Sequence, residues 1–397
     1  MTNQQPKTLQ YTSKFDDHSY RIALTIQYII FKIVGLSPWT NFQRTRKKNY
    51  VIQHSLSGTV YNLALIIAYC SYFVWSYEDL IPQKDQPDSA FAKTVGDNVH
   101  ILGVVATASV WQFFMVRQKL MIRILNKLAT SSSLLQRCEL YNFRDNHAIY
   151  WIFLSNFLVT TFLVVLEILV YKPILVPIRL IPALIHFWVL MQYSLLLDIV
   201  IKQFESIQST ILKLGGVNSD IKLHTLFVTK VPLRRPITHE ITKIRDVHGK
   251  LFKITELISN FYGSPILMTI VYFGVSSVCY LYFIILSLFA NDKGEITVNY
   301  YSFSSWFLIM VYGFIVMTAK VGQAVAQTKK TAHAVYLLLD RCTLEERTHE
   351  NLVEFSIELL HQKMEFSAFG IISFDGSLLE TMTGTIVTYL VILVQFR

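Results

Sequence analysis

The chain has 397 residues, of which 52% are hydrophobic and only 16% are charged, and its mean hydropathy is +0.40. Because soluble globular proteins carry about 25% charged residues, this composition excludes a soluble globular protein and predicts an integral membrane protein whose apolar surface faces lipid. The net charge of +9 would suit nucleic acid, but basic residues in a membrane protein mark its cytoplasmic side, so no nucleic-acid partner is expected.

The N-terminal region, 1–56, is predicted to be cytoplasmic. Residues 1–20 are polar and charged, which excludes a cleavable signal peptide and leaves nothing to carry the N-terminus across the membrane. The apolar run 22–37 is too short to span a bilayer and contains Lys32, so it predicts an interfacial or re-entrant helix. The basic cluster 44–48 indicates a topology determinant that contacts membrane lipids with anionic headgroups.

Seven apolar stretches are long enough to cross a bilayer as helices. They are 57–77, 97–116, 148–170, 174–200, 262–290, 302–324 and 377–396. Most of the 36 basic residues fall before the first stretch or after the second, fourth and sixth, whereas the alternate connections are short and poor in basic residues. The positive-inside rule then predicts an all-α membrane protein with a cytoplasmic N-terminus and an extracellular C-terminus.

The connections predicted to be cytoplasmic are long and look helical. The stretch 333–366 has the apolar spacing of amphipathic helices, which would extend the membrane helices into a cytoplasmic bundle suited to subunit assembly. Its apolar positions are Val335, Leu338, Leu339, Cys342, Leu352, Phe355, Leu359 and Leu360. We divide the chain after the N-terminal region into a six-helix transmembrane region, 57–324, with a cytoplasmic loop at 201–261, then a cytoplasmic segment, 325–376, and a last transmembrane helix, 377–397.

The sequence contains no motif of a known catalytic centre: no phosphate-binding glycine loop, no H-E-x-x-H and no G-x-S-x-G. An intramembrane protease would need paired carboxylates, but Asp198 and Glu167 lie alone on different predicted helices. The four cysteines show no paired spacing, so neither a disulfide framework nor a zinc site is indicated. We therefore expect that the protein is not an enzyme and needs no cofactor and no metal.

A polar stripe runs along the last predicted span. Its members recur at intervals of three and four residues and so share one helical face; they are Thr381, Thr385, Thr388, Ile392 and Gln395. Such a stripe suits the lining of a water-filled pore between subunits, because lipid cannot hydrogen-bond hydroxyls or an amide. It equally suits helix packing in which each threonine bonds back to the preceding turn.

The end of the chain resembles insect gustatory receptors. Thr388–Phe396 matches the family signature TYhhhhhQF, in which h is hydrophobic, at the expected place near the C-terminus. The preceding segment, with Glu365–Gly370 followed by Phe374 and Asp375, also resembles that family. In the branch that senses sugars a glutamate usually follows the Thr-Tyr pair, whereas this chain has Leu390; bitter-type, fructose-type and broadly tuned branches stay open.

The resemblance implies a ligand-gated, non-selective cation channel in the plasma membrane of a sensory neuron, opened by a small-molecule tastant. It implies a homotetramer, or a mixed tetramer with related receptors, in which each chain contributes its last helix to a central pore and 325–376 forms the anchor between subunits. By motif, Gln395 and Phe396 fall at the outer constriction for the permeant cations, with Ile392 and Thr388 below them, and Tyr389 at contacts with neighbouring helices. Alternatives are an odorant-receptor-type channel, a metabotropic seven-helix receptor and a secondary transporter.

The ligand pocket implied by the resemblance would open to the outside among spans two to six. Its candidate residues by topology are His100, Glu167, His186, Tyr280, Tyr282, Trp306 and Tyr312. Glu167 is the sharpest candidate, because an ionisable group inside a span is costly; its alternative is an interfacial carboxylate that reaches water beside Lys172. His186 either donates to ligand or is satisfied by a neighbouring helix. Asp198 and Lys320 are expected to pair near the cytoplasmic ends of their helices.

Overall fold

The computed structural model describes residues 28–44, 50–80, 90–135, 147–170, 176–214, 231–232, 238–289 and 296–395. After a short helical stretch at 28–33, the helices in chain order are α1 (Leu56–Leu80), α2 (Ala90–Val116), α3 (Gln118–Leu135), α4 (His147–Val170), α5 (Val176–Leu214), α6 (Thr238–Phe289), α7 (Ile296–Arg341), α8 (Glu346–His361) and α9 (Gly376–Gln395). The prediction of an all-α protein is confirmed for this part of the chain.

Short strands that the sequence analysis did not predict pair at three places. The hairpin of β1 (Thr40–Arg44) and β2 (Tyr50–Gln53) precedes α1, and a hairpin of β5 (Ser367–Ala368) and β6 (Ile372–Ser373) precedes α9. A parallel pairing joins β3 (Val231–Pro232) to β4 (Cys342–Thr343), between α7 and α8. Each pair consists of two short strands and does not form an independently stable sheet, and the pairs lie between the helices.

Six helices in the described residues are long and apolar enough to cross a membrane, so the chain is a multi-pass membrane protein. These membrane-length stretches lie within α1, α2, α5, α6, α7 and α9, and they overlap six of the seven predicted spans. The predicted span 148–170 coincides with α4. The apolar part of α4 whose side chains are described, Leu154–Leu169, is shorter than the other six stretches. A seventh span and the orientation of the termini therefore stay predictions.

Helix α5 forms the centre of the bundle. Almost every side chain from Ile185 to Phe204 is buried, as expected for a helix that is hydrophobic on all sides. It packs most extensively against α7 and also against α2, α4 and α6. Close packing depends on Gly103 of α2, where an added Cβ would lie 3.1 Å from Pro182 and 3.2 Å from Tyr272.

The N-terminal helical stretch ends at Ile33, before the predicted end at residue 37. Gly35 stops it by adopting a positive φ of 83°, and Leu36 N–H then donates to Phe31 O at 2.8 Å, the bond pattern of a Schellman cap. Residues 35–39 are buried in the bundle. The choice between a re-entrant and an interfacial helix stays a prediction.

Side chains of four helices donate to the carbonyls that this turn leaves open. Asn62 of α1 donates to Gly35 O at 2.8 Å, and Trp111 of α2 donates to Val34 O at 2.9 Å. Gln118 of α3 and Gln192 of α5 supply two further bonds, to Pro38 O at 2.6 Å and Leu36 O at 3.2 Å. Because buried carbonyls without partners are costly, these bonds allow the non-helical segment to lie inside the protein.

The segments predicted to be cytoplasmic at 201–261 and 325–376 are largely helical where the structure describes them, because α5, α6 and α7 run well beyond their predicted spans; the short strands β3 to β6 are the exception. Helix α8 packs on α6 and α7 through Leu352 and Phe355. Arg245 of α6 donates to both oxygens of Glu358 and also lies 2.5 Å from Glu354. Leu360, one of the apolar positions of the predicted amphipathic pattern, is 75% exposed in the single chain, because it lies about 100° away from the face that holds Leu352 and Phe355.

Candidate pore helix and ligand-binding region

Helix α9 begins at a defined cap. Asp375 Oδ1 accepts hydrogen bonds from the backbone N–H of Ser377 at 3.0 Å and from its hydroxyl at 2.5 Å, as an N-cap residue does. One turn later, Leu378 is the buried side chain that fixes this end of the helix to α6 and α7. The preceding hairpin closes with a bond from Phe374 N–H to Phe366 O at 2.8 Å.

The remainder of α9 lies at the surface of the chain. Its half-buried side chains are all apolar and share one face; they are Leu379, Met382, Ile386, Leu390 and Leu393. The stripe of Thr381, Thr385, Thr388, Ile392 and Gln395 is exposed throughout. At about 100° per residue the stripe is centred about 140° from the half-buried face. The polar stripe therefore faces away from its own bundle, toward whatever surrounds the helix.

Every threonine of the stripe bonds back to the preceding turn. The hydroxyls of Thr381, Thr385 and Thr388 donate to the carbonyls four residues earlier, at 2.9, 2.9 and 2.8 Å. These bonds satisfy the hydroxyl donors inside the helix, so hydrogen bonding alone does not separate a pore from a packing interface. The oxygens retain lone pairs that can accept from water, and the direction of the stripe is the more informative observation.

The candidate gate lies at the end of α9. Gln395, its last residue, is exposed, and Ile392 one turn earlier is 39% exposed. Tyr389, expected at contacts with neighbouring helices, is 57% exposed in the single chain. Phe396 lies outside the described residues, so the pairing of Gln395 with Phe396 at a constriction stays a prediction.

Two of the pocket candidates lie in direct contact between α4 and α7. Glu167 is fully buried, and the indole N–H of Trp306 donates to its Oε1. A buried carboxylate needs such a donor to offset the loss of hydration. The burial disfavours the alternative of a carboxylate that reaches water; Lys172, its expected neighbour, lies outside the described residues.

A second group surrounds His186 of α5. Its Nδ1 lies 3.0 Å from the hydroxyl oxygen of Thr269 on α6, which confirms that a neighbouring helix satisfies this nitrogen. The Thr269 hydroxyl, which carries a single hydrogen, also lies 2.8 Å from Pro265 O, so the tautomer in which the imidazole donates from Nδ1 lets both contacts form as hydrogen bonds. His186 Nε2 is then an acceptor; it is fully buried and has no hydrogen-bond partner among the described residues.

Tyr272, which the sequence analysis missed, joins the other candidates to His186. Its ring stacks on the imidazole with centroids 4.8 Å apart, and it lies near Tyr280 and near Arg179, which also lies near His100. Nothing in the sequence marked Tyr272, because an aromatic residue in an apolar span is ordinary. Tyr282 is buried on the same helix.

Tyr312, the remaining candidate, lies on α7, where its ring stacks on Phe187 with centroids 6.4 Å apart and its hydroxyl lies 3.3 Å from Ser155 Oγ. The candidates thus form a pair between α4 and α7 and a larger group between α2, α5 and α6. Tyr312 lies on the α4–α5–α7 side of the bundle.

A charged cluster ties α5 to α7 near the middle of these two helices. Lys320 Nζ lies 2.5 Å from Asp198 Oδ1, and Lys202 Nζ lies 3.2 Å from Oδ2. This confirms the predicted pairing of Asp198 with Lys320. Seven residues further along both helices, Gln327 donates to Glu205 at 2.8 Å, so two polar pairs fix the register of α5 against α7.

Comparisons with known proteins all match chemosensory receptors. A family model described as 7tm Chemosensory receptor matches residues 24–397. Among curated proteins of Drosophila melanogaster, putative gustatory receptor 28a is 27% identical over 40% of this chain and 36% of its own length. Gustatory receptor for sugar taste 43a is 26% identical over 40% of this chain and 36% of its length, and gustatory receptor for bitter taste 66a is 27% identical over 41% and 31%. The matched segments thus span about a third of these relatives.

The fold is that of a solved insect receptor. The olfactory receptor OR5 from Machilis hrabei superposes with a TM-score of 0.66 at 12% identity, over 96% of this chain and 100% of that one. The structure of the same receptor in complex with eugenol gives a TM-score of 0.63 at 13% identity, over 97% of this chain and 100% of that one.

Proposed function

This chain belongs to the 7tm chemosensory receptor family, and we propose that it is an insect gustatory receptor that works as a ligand-gated, non-selective cation channel. The observation that carries the proposal is the polar stripe of α9, which is turned about 140° from the face that contacts its own bundle. A helix that turns its hydroxyls and an amide away from its own protein suits a water-filled pore formed with other copies.

Four chains, identical or mixed with related receptors, would place their α9 helices around one axis. Gln395 and Phe396 would form the outer constriction, with Ile392 and Thr388 below. Four apolar rings at a narrow point exclude water and close the pore, whereas exposed amides in the open state coordinate hydrated cations. The segment 325–376, with α8 packed on α6 and α7, would anchor the subunits to one another.

The distribution of charge supports the orientation, and the family supports the location. The N-terminus would lie in the cytosol and the C-terminus outside, in the plasma membrane of a sensory neuron, with α4 as the seventh span. A metabotropic seven-helix receptor needs the opposite orientation. Accessibility of an epitope at each end of the chain in intact cells separates the two functions.

The ligand site would lie in the group around His186 and Tyr272, with Glu167 and Trp306 across the bundle. The tautomer derived above makes His186 Nε2 an acceptor, and not the donor that the sequence suggested. A buried acceptor flanked by aromatic rings suits a small neutral molecule with a hydroxyl group. Glu167 accepts from the neutral indole of Trp306, which leaves its charge in place, so a cationic alkaloid is the alternative ligand there. The eugenol complex of OR5 supports a small-molecule ligand.

The decisive experiment is electrical recording from a non-insect cell that expresses the chain. Tastants from a panel of sugars and bitter compounds should evoke an inward current that persists when G-protein signalling is blocked. Gln395→Ala should change the ion selectivity or the open probability, whereas Thr383→Ala, off the stripe on the same helix, should not. A current that vanishes with G-protein blockade would refute the channel.

An odorant-receptor-type channel is the second candidate, and the fold likeness to OR5 favours it. Volatile compounds added to the same panel distinguish the two, since activation only by volatiles would assign the chain to that class.

A further inference from the structure

Helix α3 begins where a candidate membrane span ends. The span in α2 finishes at Val116, and the chain continues through a single turn residue, Arg117, into α3. Arg117 N–H donates to Phe113 O at 2.9 Å, and Leu120 N–H donates to Arg117 O at 2.9 Å. The two helices are thus joined without a loop, which holds the start of α3 at the edge of the membrane.

The two faces of α3 differ in character. Met121, Ile124 and Leu128 are buried against the bundle. The opposite face carries the exposed residues Lys119, Arg123 and Lys127 at intervals of four, which together with Arg117 we call the basic stripe.

Among the residues that the structure describes, no carboxylate neutralises the basic stripe. The sequence of α3 contains no Asp or Glu, and within the described residues none of the four cations forms an ion pair. Exposed lysines on α6 differ, since Lys243 and Lys250 each pair with a carboxylate on their own helix.

The spacing suits a lipid headgroup layer. At about 1.5 Å per residue, Lys119 lies about 5 Å, Arg123 about 11 Å and Lys127 about 17 Å beyond Val116 at most. The headgroup region of one leaflet is about 5–8 Å thick, and long basic side chains reach back toward it. Lys127 remains within about a Debye length of that layer at physiological salt.

We propose that the basic stripe binds the phosphate groups of anionic lipids in the cytoplasmic leaflet. The proposal uses the orientation of the proposed function, because anionic lipids are concentrated in that leaflet. It differs from a mere topology signal, which acts during insertion and needs no binding site in the folded protein.

Binding at the stripe would act on elements that reach the pore helix. The buried face of α3 packs on α6, and α6 contacts α9 and its preceding hairpin. Asn126 of α3 also exchanges two hydrogen bonds with the backbone of Ile52, at 3.0 and 3.1 Å. Lipid that holds α3 at the membrane surface would therefore stabilise the packing of α3 on α6.

The test uses the full chain purified in an uncharged detergent and titrated with short-chain phosphatidylserine, short-chain phosphatidylcholine or inorganic phosphate, with the unfolding temperature as readout. Wild type should be stabilised by phosphatidylserine alone, and added salt should weaken the effect. Lys119→Gln/Arg123→Gln should bind phosphatidylserine about 30-fold more weakly, at about a factor of five for each cation near the surface.

The matched control, Arg347→Gln/Lys363→Gln, removes the same charge from exposed residues at α8 and should bind like wild type. Lys119→Arg/Arg123→Lys, which keeps the charge, should retain binding, and Lys127→Gln alone tests the stripe if the first double variant does not fold. Equal stabilisation by phosphatidylcholine or by inorganic phosphate would overturn the proposal, because acyl chains or a soluble anion would then account for binding. An equal loss in the control pair would also overturn it.

Discussion

Replacing Asp198 by asparagine should destabilise the protein more than replacing its main partner, Lys320. The carboxylate neutralises two lysines in a nearly dry site: the exposed side-chain fractions of Asp198, Lys202 and Lys320 are 3%, 8% and 12%. Asp198→Asn removes the carboxylate that pairs with both lysines, and removal of one partner from a buried pair costs about 3–5 kcal/mol. Lys320→Gln leaves Asp198 paired with Lys202, so only one charged hydrogen bond is lost, worth about 1.5–3 kcal/mol.

Thermal unfolding of the purified chain in detergent measures this difference. At about 2 °C per kcal/mol, Asp198→Asn should lower the midpoint by about 6–10 °C. A matched control is Asp246→Asn, which removes an exposed carboxylate 2.6 Å from Lys250 and should change the midpoint by about 1 °C or less. The electrostatic reasoning is refuted if Asp198→Asn costs no more than Lys320→Gln, or no more than the control.

Three further outcomes are expected. The hydrogen bonds from Arg245 lower the pKa of Glu358 below its usual 4.5, so this pair stabilises the fold above the unfolded-state pKa and is lost as pH falls through the folded one. The unfolding midpoints of wild type and Glu358→Gln should therefore differ at neutral pH and converge below pH 4.5; a constant difference would contradict this. His186→Leu should raise the tastant concentration for half-maximal current about tenfold. A ligand analogue without the hydroxyl should have the same potency on wild type and on the variant. If the intact ligand is also equally potent on both proteins, His186 Nε2 does not contact the ligand. Gly103→Val should lower the unfolding midpoint by about 2–6 °C through overpacking. Gly274→Val should not lower it, because an added Cβ there meets nothing within 4 Å. Equal shifts in the two variants would show that helix propensity, and not packing, is responsible.

The sequence could predict where helices cross the membrane, because burial in lipid requires long runs of apolar residues. It could not predict where those helices end, since α5 continues to Leu214 through a stretch, 201–214, that is rich in polar residues although most of its side chains are buried. The early end of the first helical stretch was visible only as Gly35, one of 15 glycines. Its effect depends on side chains far along the chain that donate to the freed carbonyls.

The candidate site, too, could be predicted only in part from the sequence. The stripe on α9 was readable from periodicity, because its members obey the spacing of one helical face. Which way the stripe faces depends on the packing of α9 against α6 and α7, and that is a property of the tertiary structure. Likewise, His186 was identifiable as a polar residue in a span, but its role as an acceptor follows from a bond between Thr269 and Pro265 on another helix.

The capped turn after Ile33 has a consequence for biosynthesis. Leu36 lies 156 residues ahead of Gln192, the donor to its carbonyl, and ribosomes add about 5–20 residues each second. The Leu36 carbonyl is therefore synthesised about 8–30 s before Gln192, and until then the carbonyls of the turn are hydrated or held by other factors. The earliest part of the bundle to be synthesised is thus among the last to be completed. Docking of the capped turn requires that α1, α2, α3 and α5 have already come together.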